Sequence, residues 1–314
     1  MKRYGSLGDL PLGGTRRALA IGAFDGVHVG HQAIIGRAIE LAAARGIPAM
    51  VVTFDPPPVS VLHPEYRVTV LTEVGLKAQL IERLGADELL VVPFTRAFSR
   101  IRAERFVQML AGPPIGADAV VVGQNFRFGH RGAGTADGLR EMGRQLGLRV
   151  EVPPMVVDAE GKPVSSTRIR RLVSEGRVRE VAPLLGRPHS VEGTVVHGEQ
   201  RGRALGLPTA NLEAPPHAAV PGRGVYAGRA TLAGGSHAAA VNIGYAPTFA
   251  HEGEPRPQRL EAFLLDYDGP DLYGERLPLE FLERLRDERR FESPDALVAQ
   301  VHEDVRRVRE LAGA

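Results

Sequence analysis

Between residues 17 and 153, five short apolar runs (17–24, 48–54, 88–93, 118–122 and 148–153) alternate with segments of helical length at 31–45, 73–85, 102–111 and 136–147. The runs are β-branched and apolar throughout, as in Met50-Val-Val-Thr-Phe54, Leu89-Leu-Val-Val92 and Ala119-Val-Val-Val122. A strand that is apolar on both faces must be covered on both, and helices packed on either side of a parallel sheet achieve this. Leu76, Leu80 and Leu84 form a helical stripe suited to one such cover. The alternation predicts a doubly wound α/β domain with a parallel sheet.

After about Gly186 the texture changes. Residues 187–280 are rich in Gly and Pro, with short alternating runs such as Val225-Tyr-Ala-Gly-Arg-Ala-Thr-Leu232 and no long helical stripe. Closely spaced strands with turn residues between them predict a compact antiparallel β-barrel. The tail returns to helix: Ser293 reads as a cap, Pro294 suits the first helical position, and Leu297, Val301, Val305, Val308 and Leu311 share a face. A chain of 314 residues exceeds the usual size of one domain. Two domains are expected, 1–186 and 187–314, with no internal repeat or low-complexity linker.

The absence of cysteine removes disulfides, thiolate chemistry and zinc–sulfur sites. No apolar stretch approaches the ~18 residues of a membrane span, and the first residues lack a signal-peptide core, so a cytoplasmic location without membrane association is expected. The formal net charge is only +2 although the pI is about 9.1. Lysine occurs only at Lys2, Lys77 and Lys162, so arginine carries nearly all the positive charge, scattered among acids as in Arg284-Leu-Arg-Asp-Glu-Arg-Arg290. This is a biased composition, not a basic tract, and no nucleic-acid partner is expected.

The first strand runs into Ile21-Gly-Ala-Phe-Asp-Gly-Val-His-Val-Gly-His31. Ligands of open α/β sheets bind at the carboxyl ends of the strands, where helix N-termini converge. Gly22, Gly26 and Gly30 permit close backbone approach to a polyphosphate, and the following helix aims its N–H groups at anions. His28 and His31 can stabilise charge building on a pentacoordinate phosphorus. Two other readings stand beside this one: a metal-ligand pair, or structural histidines of a tight turn. Val164-Ser-Ser-Thr-Arg-Ile-Arg170 opens a second helix at the far end of the same domain. Its hydroxyls and arginines suit phosphate, or equally an N-cap with surface arginines.

In the second half no Walker A motif is present, because Gly161-Lys162 is followed by proline. Gly206-Leu-Pro-Thr-Ala-Asn-Leu212, preceded by Val195-Val-His-Gly198, places Thr209 and Asn211 two apart on a strand-like segment. A hydroxyl and an amide oxygen on one face suit a hard cation such as magnesium, though singly each is an ordinary turn residue. Glu261 lies in Arg259-Leu-Glu-Ala-Phe263 and is a candidate base, or a solvated position on an edge strand.

Taken together these motifs resemble a known family. "GAFDGVHVGH" is similar to the H-x-G-H signature of nucleotidyltransferases and "VSSTRIR" to its S-S-T-x-x-R counterpart. With Thr53-Phe-Asp-Pro-Pro-Pro58 and Gly123-Gln-Asn-Phe-Arg-Phe-Gly129, the first half resembles the FMN adenylyltransferase module of bacterial bifunctional riboflavin kinase/FAD synthetases. "LGLPTANL", "NIGYAPTF" and "RLEAFLLDYDGPDLYG" resemble the riboflavin-kinase signatures. The resemblance implies an α/β doubly wound nucleotidyltransferase domain, a riboflavin-kinase barrel with a C-terminal helix, and synthesis of FAD through FMN. ATP and Mg²⁺ would be required, riboflavin and FMN would be substrates, and FAD the product. It implies ATP contacts at Gly22, Phe24, Asp25, His28, Gly30, His31, Ser166, Thr167 and Arg170, and flavin contacts at Asn125, Pro56 and Pro58. In the kinase it implies nucleotide contacts at Gly198 and Gly206, magnesium at Thr209 and Asn211, and a base at Glu261. Pro57 stands where the family has histidine, and Tyr245-Ala246 where it has Thr-Arg. A monomer or weak homo-oligomer is expected. Rival readings are a nucleotidyltransferase with another acceptor, a flavin or nucleotide sensor without turnover, and an RNA-binding regulator.

Overall fold

The computed structural model describes residues 1–314 apart from 67, 199–207, 246–257, 290 and 314. In chain order its elements are β1 (Lys2–Tyr4), β2 (Arg17–Ile21), α1 (Val29–Ala43), β3 (Ala49–Asp55), α2 (Pro58–Leu62), α3 (Val74–Arg83), β4 (Glu88–Pro93), α4 (Ala103–Ala111) and β5 (Ala117–Val121). There follow β6 (Arg127–Phe128), β7 (Gly134–Thr135), α5 (Ala136–Gln145), β8 (Arg149–Glu151), α6 (Ser166–Ser174) and α7 (Val178–Leu185). Strands β9 (His189–Val196), β10 (Ala210–Glu213), β11 (Gly224–Leu232), β12 (Gly235–Tyr245), β13 (Gln258–Leu264), β14 (Arg276–Arg286) and helix α8 (Pro294–Ala312) complete the chain. The chain divides into two compact units, Met1–Ser166 and Thr167–Ala314.

In the first unit the sheet order is β1-β4-β3-β2-β5-β8, and every pairing is parallel. All five apolar runs are strands. Alternate residues face opposite helical layers, as a period of two requires. Leu19, Ile21, Val52, Leu90 and Val120 pack with Phe106, Val107 and Leu110 of α4 and Leu139 of α5. Ala18, Ala20, Val51, Leu89 and Ala119 pack with Ile35, Ala38 and Leu41 of α1 and with Ala78 and Ile81 of α3. Each fully buried Leu, Ile or Val contributes about 1.5–3 kcal/mol relative to exposure, so both faces are anchored. The chain moves outward from β2 to β3 and β4, then returns to the other side with β5 and β8. The strand order therefore reverses between β2 and β5, which places a crevice at the carboxyl ends of those two strands.

In the second unit β10-β13-β12-β11-β14-β9 close into an antiparallel barrel. Its interior holds Leu212, Tyr226, Val241, Ile243, Leu260, Ala262, Leu277, Leu279 and Phe281. Val178 of α7 is fully buried in the same cluster. Ser293 caps α8, its hydroxyl accepting from Ala296 N, and Val308 is buried against Ala227, Ala238 and Leu265. Arg286 pairs with Asp304 at 2.7 Å, tying α8 to β14.

Some details depart from expectation. The barrel runs past 280, because Leu277, Leu279 and Phe281 alternate inward along an eleven-residue β14 that also carries Arg284 and Arg286. The triple proline is followed by a short helix, with Pro58 in its first turn, where a fixed φ costs nothing. β1 has no apolar signature. It adds to the edge of the sheet beside β4, where Tyr4 donates to Glu88 at 3.2 Å.

Candidate functional sites

The turn after β2 is held in an unfavourable conformation by many partners. Phe24 and Val27 have φ of 48° and 41°, the left-handed region that bulky and β-branched residues avoid, at a cost of about 1–3 kcal/mol each. The Ala23 carbonyl accepts from Lys77 Nζ at 2.8 Å and Thr53 Oγ1 at 3.0 Å, and the Val27 carbonyl from Gln32 Nε2 at 2.9 Å. The Asp25 carboxylate accepts from Leu71 N and Thr72 N, Thr72 Oγ1 accepts from Gly26 N, and the Asp25 carbonyl accepts from Ser166 Oγ at 2.9 Å. Asp25 is thus a brace for the turn, and Ser166 at the start of α6 is joined to it.

This pinned turn fixes the histidines. His28 is the N-cap of α1, and its Nδ1 accepts from His31 N at 3.3 Å, which leaves Nε2 to carry the proton. The imidazoles of His28 and His31 stack at 3.5 Å between centroids, and Phe24 meets His31 edge-on at 5.3 Å. Burial, then His28 and Lys77, push His31 well below its ordinary pKa, so it is neutral at pH 7. Its Nδ1 is buried with no hydrogen-bond partner among the described residues. Burial also lowers the Lys77 pKa, against the opposing pull of Asp25, Asp55 and Glu73. Two of the glycines serve a purpose the sequence does not reveal. A Cβ on Gly22 would lie 3.0 Å from the Phe24 ring, and one on Gly30 3.1 Å from the His28 ring. They make room for those rings. No group of three or more His, Asp or Glu positioned to hold a metal occurs among the described residues.

Thr167 and Arg170 lie on α6, in the second unit. Asn125 is exposed in the turn after β5, and Pro56 and Pro58 follow β3, with Pro57 as the residue preceding α2. The first unit also holds a group the sequence does not show as a group. Phe54, Phe94, Phe98, Phe106, Phe126 and Phe128 form a continuous run of ring contacts with centroids 5.3–6.4 Å apart. Phe94, Phe98 and Phe126 are only partly buried. The six are dispersed over 75 positions of sequence, from the end of β3 through the turn after β4 and α4 to β6. A groove of about 640 Å³ is lined by α1 and by β8 with the residues that follow it, and its Arg37 is engaged by Glu151 at 2.6 Å and Glu40 at 2.7 Å.

On the barrel, Glu261 stands directly opposite Asn211 on one side and Asn242 on the other. Their strand neighbours Leu212, Leu260, Ala262, Val241 and Ile243 point inward, so these three share the outer face. The barrel is closed, so β13 is not an edge strand. Asn211 is 8% exposed, and its Oδ1 accepts from Arg259 Nε at 3.0 Å and Nη2 at 2.8 Å. Arg259 Nε also lies 2.8 Å from Glu261 Oε1. Gly198 sits against the Asn211 amide, while Thr209 is exposed just before β10. Asn242 donates to Glu288, which pairs with Arg223 at 2.8 Å. Hydroxyl, amide and carboxylate oxygens suit a hard cation by type, but Arg259 holds the amide oxygen. Gly206 and Ala246 lie outside the described residues.

The FAD synthetase family model matches residues 14–168, and the riboflavin kinase model matches 185–312. The chain is 35% identical to the bifunctional riboflavin kinase/FMN adenylyltransferase of Listeria monocytogenes, over 92% of this chain and 90% of that one. The chain belongs to the bifunctional riboflavin kinase/FMN adenylyltransferase family. A member from Pseudomonas fluorescens is 37% identical over 93% of this chain and 92% of its own. A solved structure named macrolide-efflux protein, from Streptococcus pneumoniae, superposes with a TM-score of 0.86 at 31% identity, over 98% of each chain. No described helix is long and apolar enough to cross a membrane. The riboflavin kinase match of this family member lies within its second unit, and the FAD synthetase match begins in the first and ends two residues beyond it.

Proposed function

We propose that the chain makes FAD in two ATP-dependent steps, with residues 187–314 phosphorylating riboflavin and residues 1–186 adenylylating FMN. The observation that carries the reading is the pairing of two family matches with two distinct polar sites, the stacked histidines and the Asn211–Glu261 rung.

In the kinase step the ribityl 5′-oxygen attacks the γ-phosphorus of ATP, its proton passes to the Glu261 carboxylate, and ADP leaves. Gly198 borders the nucleotide, while Thr209 and Asn211 are the residues that would hold Mg²⁺. Bound there, the cation would neutralise phosphate charge. In the adenylyl step a phosphate oxygen of FMN attacks the α-phosphorus of a second ATP and pyrophosphate leaves. Neutral His31 acts on the phosphates by hydrogen bonding, not by fixed positive charge, and His28 beside it offers its Nε2 to them. Gly22, Phe24, Asp25 and Gly30 shape that turn, and Ser166 is joined to it through the Asp25 carbonyl; the family resemblance adds Thr167 and Arg170 to the ATP contacts. The flavin rests on the partly exposed phenylalanines, bordered by Asn125, Pro56 and Pro58, because a flat apolar ring system gains most from aromatic faces. No covalent enzyme intermediate is involved, and positioning and charge stabilisation carry both reactions.

The test is chromatography of products from the full chain supplied with ATP and Mg²⁺. Riboflavin should yield FMN and FAD, and FMN should yield FAD. Failure to consume either flavin would leave the sensor or another acceptor as the better reading.

A further inference from the structure

Asn211 and Glu261 make the site look ready for a cation, but a cation from the chain itself is already there. The amide oxygen of Asn211 has two lone pairs, and the guanidinium of Arg259 donates to it twice, at 3.0 and 2.8 Å. The same Nε is 2.8 Å from Glu261 Oε1. Arg259 lies two residues before Glu261 on β13, so both side chains project from the same face of the strand. Asn211 is nearly buried, which leaves its oxygen little access to water as an alternative partner. A metal ion bonded to that oxygen at about 2.0–2.1 Å needs a lone pair that the guanidinium now uses.

We propose that Arg259 is a built-in placeholder for the divalent cation in the barrel, holding Asn211 and Glu261 in position until metal and nucleotide arrive together. The proposal rests on the assignment of this rung to the kinase step. Arg259 leaves Asn211 most readily when it gains a strong acceptor in addition to Glu261. Phosphate oxygens are such an acceptor, since a planar guanidinium binds them in bidentate fashion. Metal alone brings no acceptor, whereas metal with nucleotide does. The metal and nucleotide affinities of this site are therefore coupled, and by linkage each raises the other. Glu261 is released to take a proton at the same moment, which ties base activation to nucleotide binding.

The experiment is calorimetric titration of MgCl₂, without nucleotide, into the full chain as wild type, Arg259→Ala, Arg259→Lys and the double variant Arg259→Ala/Asn211→Ala. Arg259→Ala should bind Mg²⁺ at least about tenfold more tightly than wild type, the scale set by losing hydrogen bonds to a charged donor. The double variant should lose that gain, which separates this site from any metal binding elsewhere in the chain. In wild type, ADP should raise Mg²⁺ affinity, and in Arg259→Ala this enhancement should shrink. Equal Mg²⁺ affinity in wild type and a folded Arg259→Ala overturns the proposal. Should Arg259→Ala not fold, Arg259→Lys, which keeps fewer donors, must show an intermediate gain, and no gain there overturns it equally. Failure of the underlying kinase assignment has a different signature: wild type makes no FMN from riboflavin, ATP and Mg²⁺.

Discussion

Replacing Gly198 with alanine perturbs one atom at the centre of the barrel site. The added Cβ would lie 2.2 Å from Asn211 Nδ2, 2.4 Å from Cγ and 2.6 Å from Oδ1. All three distances are far inside van der Waals contact at about 3.5–4.0 Å, so either the amide or the backbone at 198 must move by about 1 Å. The amide is the softer of the two, but it is nearly buried and held twice by Arg259. Overpacking of this kind costs about 1–3 kcal/mol. If the cost falls on the position that Asn211 holds in the transition state, kcat/KM for FMN formation drops by about 5- to 150-fold. Steady-state kinetics with riboflavin measures this, and adenylylation of supplied FMN serves as the internal control, expected to stay within about twofold of wild type. A double-mutant cycle identifies the cause. In an Asn211→Ala background the clash is gone, so Gly198→Ala should add little. An equal loss in both backgrounds, or none in either, would refute the reasoning.

Two further outcomes concern stability. His189 is buried, and burial lowers its pKa from 6.5 to about 4 despite its hydrogen bond to the Ala219 carbonyl. Its folded pKa is below its unfolded one, so the unfolded chain binds the proton first. Stability present above pH 6.5 is therefore lost as pH falls toward 4, by about 3 kcal/mol in all, and urea unfolding of His189→Gln should show a shallower acid slope. Arg17 and Glu88 form a buried pair at 2.5 Å, and Arg17 also donates to the carbonyls of Pro114 and Ile115. Arg17→Ala strands the Glu88 carboxylate and should cost about 3–5 kcal/mol in the first unit's unfolding transition, while Arg17→Met with Glu88→Leu should recover most of it.

The α/β half was legible because a strand buried on both faces can contain little else but apolar residues, so β2 to β5 announce themselves. β1 was not, since three polar edge residues held by Tyr4 and the backbone leave no pattern. The barrel was legible only as a texture, because short inward alternations such as Leu277-Pro-Leu279-Glu-Phe281 overlap with charged stretches. The sequence texture changes near 186, whereas the compact units divide after Ser166, because α7 buries Val178 among barrel residues. The histidine turn was readable since its spacing is local. The phenylalanine group and the Arg259 contact with Asn211 were not, as each joins positions far apart in sequence.

The central claim is that one chain holds two separable phosphate-transfer sites. Mixing two single-site variants, His31→Ala and Glu261→Gln, with riboflavin, ATP and Mg²⁺ tests it most directly. His31→Ala alone should stop at FMN, Glu261→Gln alone should leave riboflavin untouched yet convert added FMN, and the mixture should make FAD. Either folded variant losing both reactions, or a mixture that makes FMN but no FAD, would contradict it.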